Sequence, residues 1–118
     1  MTIRALFLLM TMLHHPAPPA PATMPHERPQ AVRGVATYYD WRSGQAAAGP
    51  ALRRLLGPHW RGRWVTVTAG RHRVRVRLTD WCACGPRHGR PTLIDLDRRS
   101  FARLALPSTG IIEVTIRP

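Results

Sequence analysis

The chain has 118 residues, room for one domain and too few for two. Its 18 basic residues are all arginine against 6 acidic ones, and the formal charge of +12 predicts attraction to polyanions without choosing among nucleic acid, anionic wall polymers and acidic lipid headgroups. A hydrophobic share of 44% allows a core, while 12 prolines and 9 glycines predict many turns and some unstructured sequence.

Arg4 precedes the apolar run "ALFLLMTML" at residues 5–13. Nine residues are too short to cross a bilayer as a helix but suit the hydrophobic region of a secretory signal. Ala20 and Ala22 stand as an A-x-A cleavage site, so residues 1–22 read as a signal peptide and Thr23 as the start of the mature chain. A frayed apolar start on a cytosolic protein is the competing reading. Export disfavours nucleic acid as the partner. No cysteine follows the apolar run, so no lipid anchor in a membrane is expected. Residues 23–31 continue a stretch rich in Pro, Ala and His and read as a linker. The folded domain is expected over 32–118.

"VRGVATYYD" (32–40) carries β-branched and aromatic residues after Gly34 and predicts a first strand. "GPALRRLLGP" (49–58) predicts a short helix with Pro50 at its start, Leu52, Leu55 and Leu56 on one face, and Gly57-Pro58 as its stop. "RWVTVTA" (63–69) and "HRVRVRLTD" (72–80) alternate, and the tight turn at Gly70 and Arg71 joins them as a hairpin. "CGPRHGRP" (84–91) is a loop, and "TLIDL" (92–96) a buried strand. Asp97 caps a helix reaching about Ala105, with Phe101, Leu104 and Ala105 on its apolar face. Pro107 ends that helix, and "IIEVTI" (111–116) is the last strand. Five strands and two short helices in so few residues point to a small closed β-barrel.

In the second hairpin strand, Arg71, Arg73, Arg75, Arg77 and Thr79 share one side. His72, Val74, Val76, Leu78 and Asp80 share the other. The arginine side must face water, so strict alternation puts Asp80 in the core-facing row, at a strand end where a barrel opens. Partial desolvation there favours a protonated carboxyl, the species glycosidic cleavage needs. The structural alternative is that Asp80 accepts backbone N–H groups in a turn or pairs with an arginine.

"VRVRLTDWCACG…LIDLDRRSFARLALPSTGIIEVTI", with "GVATYYD" upstream, resembles the double-psi β-barrel of rare lipoprotein A (RlpA) and expansin-like proteins. The likeness covers residues 33–117, and "VATYYDWRSGQAAAGPALRRLLGPHWRG" is similar to small secreted or phage-encoded actinobacterial members. The resemblance implies a six-stranded barrel, with the sixth strand in 42–48 or 84–91, and a shallow groove for peptidoglycan or another cell-wall polysaccharide. It implies that Asp80 is the catalytic acid of lytic members and supports wall loosening without cleavage in expansin-like ones. Asp95 falls on the Asp of "IDL", a structural position near the groove. Lytic relatives carry a histidine where Leu56 aligns here; His59 lies nearby, out of register.

Inverting or retaining hydrolysis needs two carboxylates flanking the bond, and Asp40 is the candidate to approach Asp80. A lytic transglycosylase needs only one group acting as acid and then base. Tyr38, Tyr39, Trp41, Trp60 and Trp81 are the aromatic supply for sugar stacking, with Tyr39 a substrate-binding candidate; Trp41 and Trp81 sit just past strand ends and suit groove walls, whereas Trp64 and one tyrosine read as core. Cys82 and Cys84 flank a single residue, so a strained bridge and two free thiols are both open. Adding His72 and His88 makes a Cys2His2 set with no standard zinc spacing, so neither metal nor cofactor is expected. The row Arg71 to Arg77 is either a solvated strand face or a surface for anionic wall polymers. Two functional classes follow: a secreted wall-glycan barrel, catalytic or expansin-like, and, less favoured, a basic nucleic-acid binder.

Overall fold

The computed structural model describes residues 16–17 and 30–118. The signal-peptide reading of 1–22, and all but the end of the 23–31 linker, fall outside the described residues, Pro16 and Ala17 apart. Six strands form the barrel: β1 (Val32–Tyr39), β2 (Gln45–Ala48), β3 (Trp64–Ala69), β4 (His72–Trp81), β5 (Thr92–Asp97) and β6 (Ile112–Arg117). Helix α1 (Pro50–Leu56) follows β2, helix α2 (Arg98–Ala102) follows β5, and a single 3-10 turn spans Pro107–Thr109. The barrel closes in the order β1-β5-β2-β4-β3-β6, the mainly-β six-stranded architecture that the resemblance implies and one strand more than the five read from the residues.

The sixth strand is β2, inside the expected 42–48 window. Its residues are Gln45 and three buried alanines, so it shows no polar alternation. It lies between β4 and β5, parallel to the first and antiparallel to the second. Small side chains let both neighbours approach.

β3 and β4 form the expected hairpin, with Ala69 paired to His72 across a two-residue turn. Gly70 supplies the positive φ of 58° at the turn's first corner. Val65, Val67, Val74, Val76 and Leu78 point inward from this hairpin, meeting Ala36, Ala46, Ala48, Ile94, Leu96, Val114 and Ile116. Leu52 of α1, Leu93 of β5 and Phe101 of α2 are fully buried as well.

α2 begins where Asp97 predicts, and the Asp97 carboxylate accepts from the Ser100 backbone N–H at 3.2 Å. The helix ends at Ala102, short of the expected Ala105. Leu104 is nonetheless buried, its backbone N–H bonded to Phe101 O at 2.8 Å in a closing turn. In α1 only Leu52 of the three leucines is fully buried; Leu55 is exposed.

Gly49 joins β2 to α1 and donates its N–H to the Leu93 carbonyl at 2.8 Å. A Cβ there would strike the Thr92 carbonyl oxygen, which belongs to β5 and has no freedom to retreat. Gly49→Ala is expected to cost about 2–3 kcal/mol, the range of overpacked interiors. Chemical denaturation should show this as a lower midpoint with an unchanged slope.

Candidate functional site

The pairing of β2 with β4 slips between Ala46 and Ala47: Ala46 faces Leu78, but Ala47 faces Asp80. Thr79 is the extra residue of a β-bulge. Directly paired residues share a sheet face, so the slip takes Asp80 off the inward row of Val74, Val76 and Leu78. This corrects the alternation argument. Asp80 stands on the outer face of the barrel wall, because strict period-2 counting fails at a bulge.

On that face the pairings line up Asp80 of β4, Ala47 of β2, Asp95 of β5 and Thr37 of β1. Two strand spacings separate the aspartate backbones, about 10 Å. Ala47, between them, is buried. Tyr39, two residues beyond Thr37 on β1, reaches over this row. Its hydroxyl donates to Asp80 Oδ2 at 3.0 Å. The Trp81 backbone N–H donates to Asp80 Oδ1 at 2.8 Å. Thr37 Oγ1 donates to Asp95 Oδ1 at 2.8 Å.

Burial first, then the hydrogen bond to Asp80 and the charges of Asp80, Asp95 and Asp97, push the Tyr39 phenol well above its usual range. It therefore remains a hydroxyl donor throughout the physiological range. Asp95 is also pushed up, chiefly by burial and further by the charge of Asp80, with the Thr37 hydrogen bond opposing. A raised carboxyl pKa means that ionising Asp95 costs folding energy, a cost absent at acid pH and growing as pH rises through the raised value. Asp95→Asn is expected to gain thermal stability relative to the parent as pH climbs from about 3 to 7. Paired melting curves across that range test it; a pH-independent difference would rule out the burial effect.

Two tryptophans flank Asp80. Trp41 is 39% exposed and stacks on Tyr39 with ring centroids 5.5 Å apart. Its indole N–H donates to Thr79 Oγ1 at 3.2 Å, and that hydroxyl donates to Gln45 Oε1 at 2.9 Å. The bulged residue thus anchors Trp41. Trp81 is 53% exposed, with the Arg53 guanidinium 5.2 Å from its ring centroid. Arg53 also reaches the Cys82 carbonyl at 3.5 Å, tying α1 to the strand end.

Cys82 and Cys84 are bonded to each other, so of the two readings the bridge is correct. The same bond overturns the Cys2His2 zinc alternative, because disulfide sulfurs are not thiolate ligands. Trp64 is 49% exposed and covered by Arg75, not a core residue as expected. Its place on β3, opposite Arg77 of the outward row, explains this. Tyr38 is the tyrosine that packs inward, 4.6 Å from Phe101, with its hydroxyl on the Pro107 carbonyl at 3.0 Å.

The structure brings Tyr39, Asp80 and Trp81 into direct contact, Trp41 beside them, and Asp95 into the same row. Asp40 is exposed and lines an adjoining depression with Trp41 and Arg42. His59 is exposed in the turn after α1 and takes no part in the hydrogen bonds of the cluster. The expected groove is an open platform: a depression of about 610 Å³ beside it is lined by Trp41 and not by Asp80. Thr37, Gln45, Arg53 and Thr79 support the platform and were not singled out from sequence. Thr37 was discoverable, since it shares parity with Tyr39.

No family model matches the sequence, and no curated protein matches it. Solved structures do. An apo expansin of Clavibacter michiganensis superposes with a TM-score of 0.58 at 23% identity, over 74% of this chain and 49% of that one. An aspartate-to-asparagine mutant of the C. michiganensis expansin, in complex with cellohexaose, gives 0.57 at 22%, over 74% of this chain and 49% of that one. A Streptomyces papain inhibitor gives 0.58 at 25% identity, over 77% of this chain and 96% of that one. The fold is therefore expansin-like. The chain spans about half the length of the expansins and nearly all of the inhibitor. Among the described residues no helix is long and apolar enough to cross a membrane.

Proposed function

We propose that this chain is a secreted barrel that binds cell-wall glycan, peptidoglycan in first place, on the platform around Asp80. In this reading residues 1–22 are a signal peptide, 23–31 a linker and 32–118 the binding domain, of the rare-lipoprotein-A-like or expansin-like kind. The observation that carries the proposal is an Asp80 carboxylate held by the Tyr39 hydroxyl between two exposed indoles, Trp41 and Trp81. Flat exposed rings suit the apolar faces of pyranose sugars, and an open platform accepts the middle of a long strand. The expansin solved with cellohexaose supports a polysaccharide as ligand.

The finer form of the proposal is lytic transglycosylation. Asp80 gives a proton to the glycosidic oxygen as the C1–O bond breaks, the sugar's C6 hydroxyl closes onto C1, and its proton returns to Asp80. One carboxyl group serves as acid and then base. Retention on insoluble peptidoglycan tests binding, and muropeptide analysis for 1,6-anhydro ends tests cleavage. Retention without such ends leaves the expansin-like, non-cleaving module; no retention removes the glycan reading.

A second reading rests on the likeness to the papain inhibitor, 25% identical over 77% of this chain. A papain titration separates the readings: stoichiometric inhibition, with no retention on peptidoglycan, selects an inhibitor.

A further inference from the structure

A second surface lies beyond the platform. Next to Trp41, a depression of about 610 Å³ is walled by Arg42, Arg98 and Arg99. A further one of about 310 Å³ is walled by Arg75, Arg99 and Arg103. The two share Ser43 and Arg99, so they adjoin around α2 and make a track from Trp41 to Arg75 of β4. The track ends where the Arg75 guanidinium covers Trp64, 5.2 Å from the ring centroid. There the exposed row Arg73, Arg75, Arg77 begins, one arginine Cα every ~6.8 Å along the strand.

The charge along this track is almost unopposed. Two carboxylates touch it, Asp40 and Asp97. Asp97 is buried and occupied by the Gly44 and Ser100 backbone N–H groups. Only Asp40 faces the five arginines in water. The sole described ion pair involving a side-chain carboxylate, Arg90 with Glu113, lies elsewhere.

We infer that this arginine track binds an extended polymer of polyol phosphates, independently of the Asp80 platform. Guanidinium forks match phosphate oxygens two at a time. Six covalent bonds separate successive phosphorus atoms in a three-carbon polyol phosphate, about 7 Å when extended, close to the arginine repeat on β4. A nucleic-acid backbone has a similar repeat but also needs faces for its bases. The indole at the far end, Trp64, already carries the Arg75 guanidinium, and Trp41 belongs to the platform. Charge, not stacking, is what the track offers.

The test is binding of soluble poly(glycerol phosphate) to the full chain over a salt series. The triple variant Arg75→Gln, Arg99→Gln, Arg103→Gln is expected to bind at least about tenfold more weakly, and its log K against log salt slope to flatten by about 2. A control of equal charge, Arg54→Gln, Arg63→Gln, Arg87→Gln, should lose less than about threefold, because these sites lie off the track. Far-UV circular dichroism establishes that the variants fold. Equal losses in both triples would reduce the effect to net charge and overturn the proposal. So would no binding at low salt, or tighter binding of an oligothymidylate with the same number of phosphates.

Discussion

Asp80→Asn is expected to lower the release of 1,6-anhydro ends from peptidoglycan by at least about 100-fold, the lower bound for removing a general acid–base. Asparagine fills the same volume and still offers one oxygen to the Tyr39 hydroxyl or the Trp81 N–H. It cannot pass a proton to the glycosidic oxygen or take one back. The indoles of Trp41 and Trp81 are untouched, so retention on the insoluble polymer should stay within about threefold of the parent. This split between release and retention is the signature of a group that acts on the bond. If the variant instead lost its near-UV circular dichroism, Asp80 would be the turn-capping residue of the structural alternative, holding the Trp81 N–H at the strand end.

Phe101→Ala carries the largest expected loss of stability. The ring is fully buried and packs against Tyr38, the residue before the one that holds Asp80. Removing a buried aromatic side chain costs about 3–5 kcal/mol through lost burial and the cavity left behind. For a domain of this size, Tm should fall by roughly 15 °C or more. Tyr38 would also lose a wall of its pocket, which loosens β1 where Tyr39 leaves it. Differential scanning calorimetry checks the stability, and a drop of less than about 1 kcal/mol would mean that α2 re-packs over the barrel.

The residues that misled sequence reading and those that did not differ in a physical way. The hairpin strands were legible because valines alternate with arginines and threonines, and each strand carries its own period. β2 was not, because alanine suits either face and its burial comes wholly from β4 and β5. The outward turn of Asp80 was equally hidden. A bulge is a mismatch between two strands, and Thr79 becomes the extra residue only against Ala46 and Ala47. Trp64 looked like core because of its size, yet an indole under a guanidinium is stable in water. Asp97 was legible as a cap because the capping bond is local, three residues along the chain.

The candidate site divides along the same line. Tyr39, Trp41, Asp80 and Trp81 stand near strand ends and could be named from the chain alone. Their mutual geometry depends on a parallel pairing of distant segments, Thr37 with Asp95 and Ala47 with Asp80. No local pattern encodes that.

The most direct measurement is a titration of the ¹⁵N-labelled chain with soluble peptidoglycan glycan strands, following the four indole N–H resonances. Glycan binding on the platform should shift Trp41 and Trp81 progressively and leave Trp60 and Trp64 unmoved. Shifts confined to Trp60 and Trp64, or no shifts at saturating glycan, would contradict it.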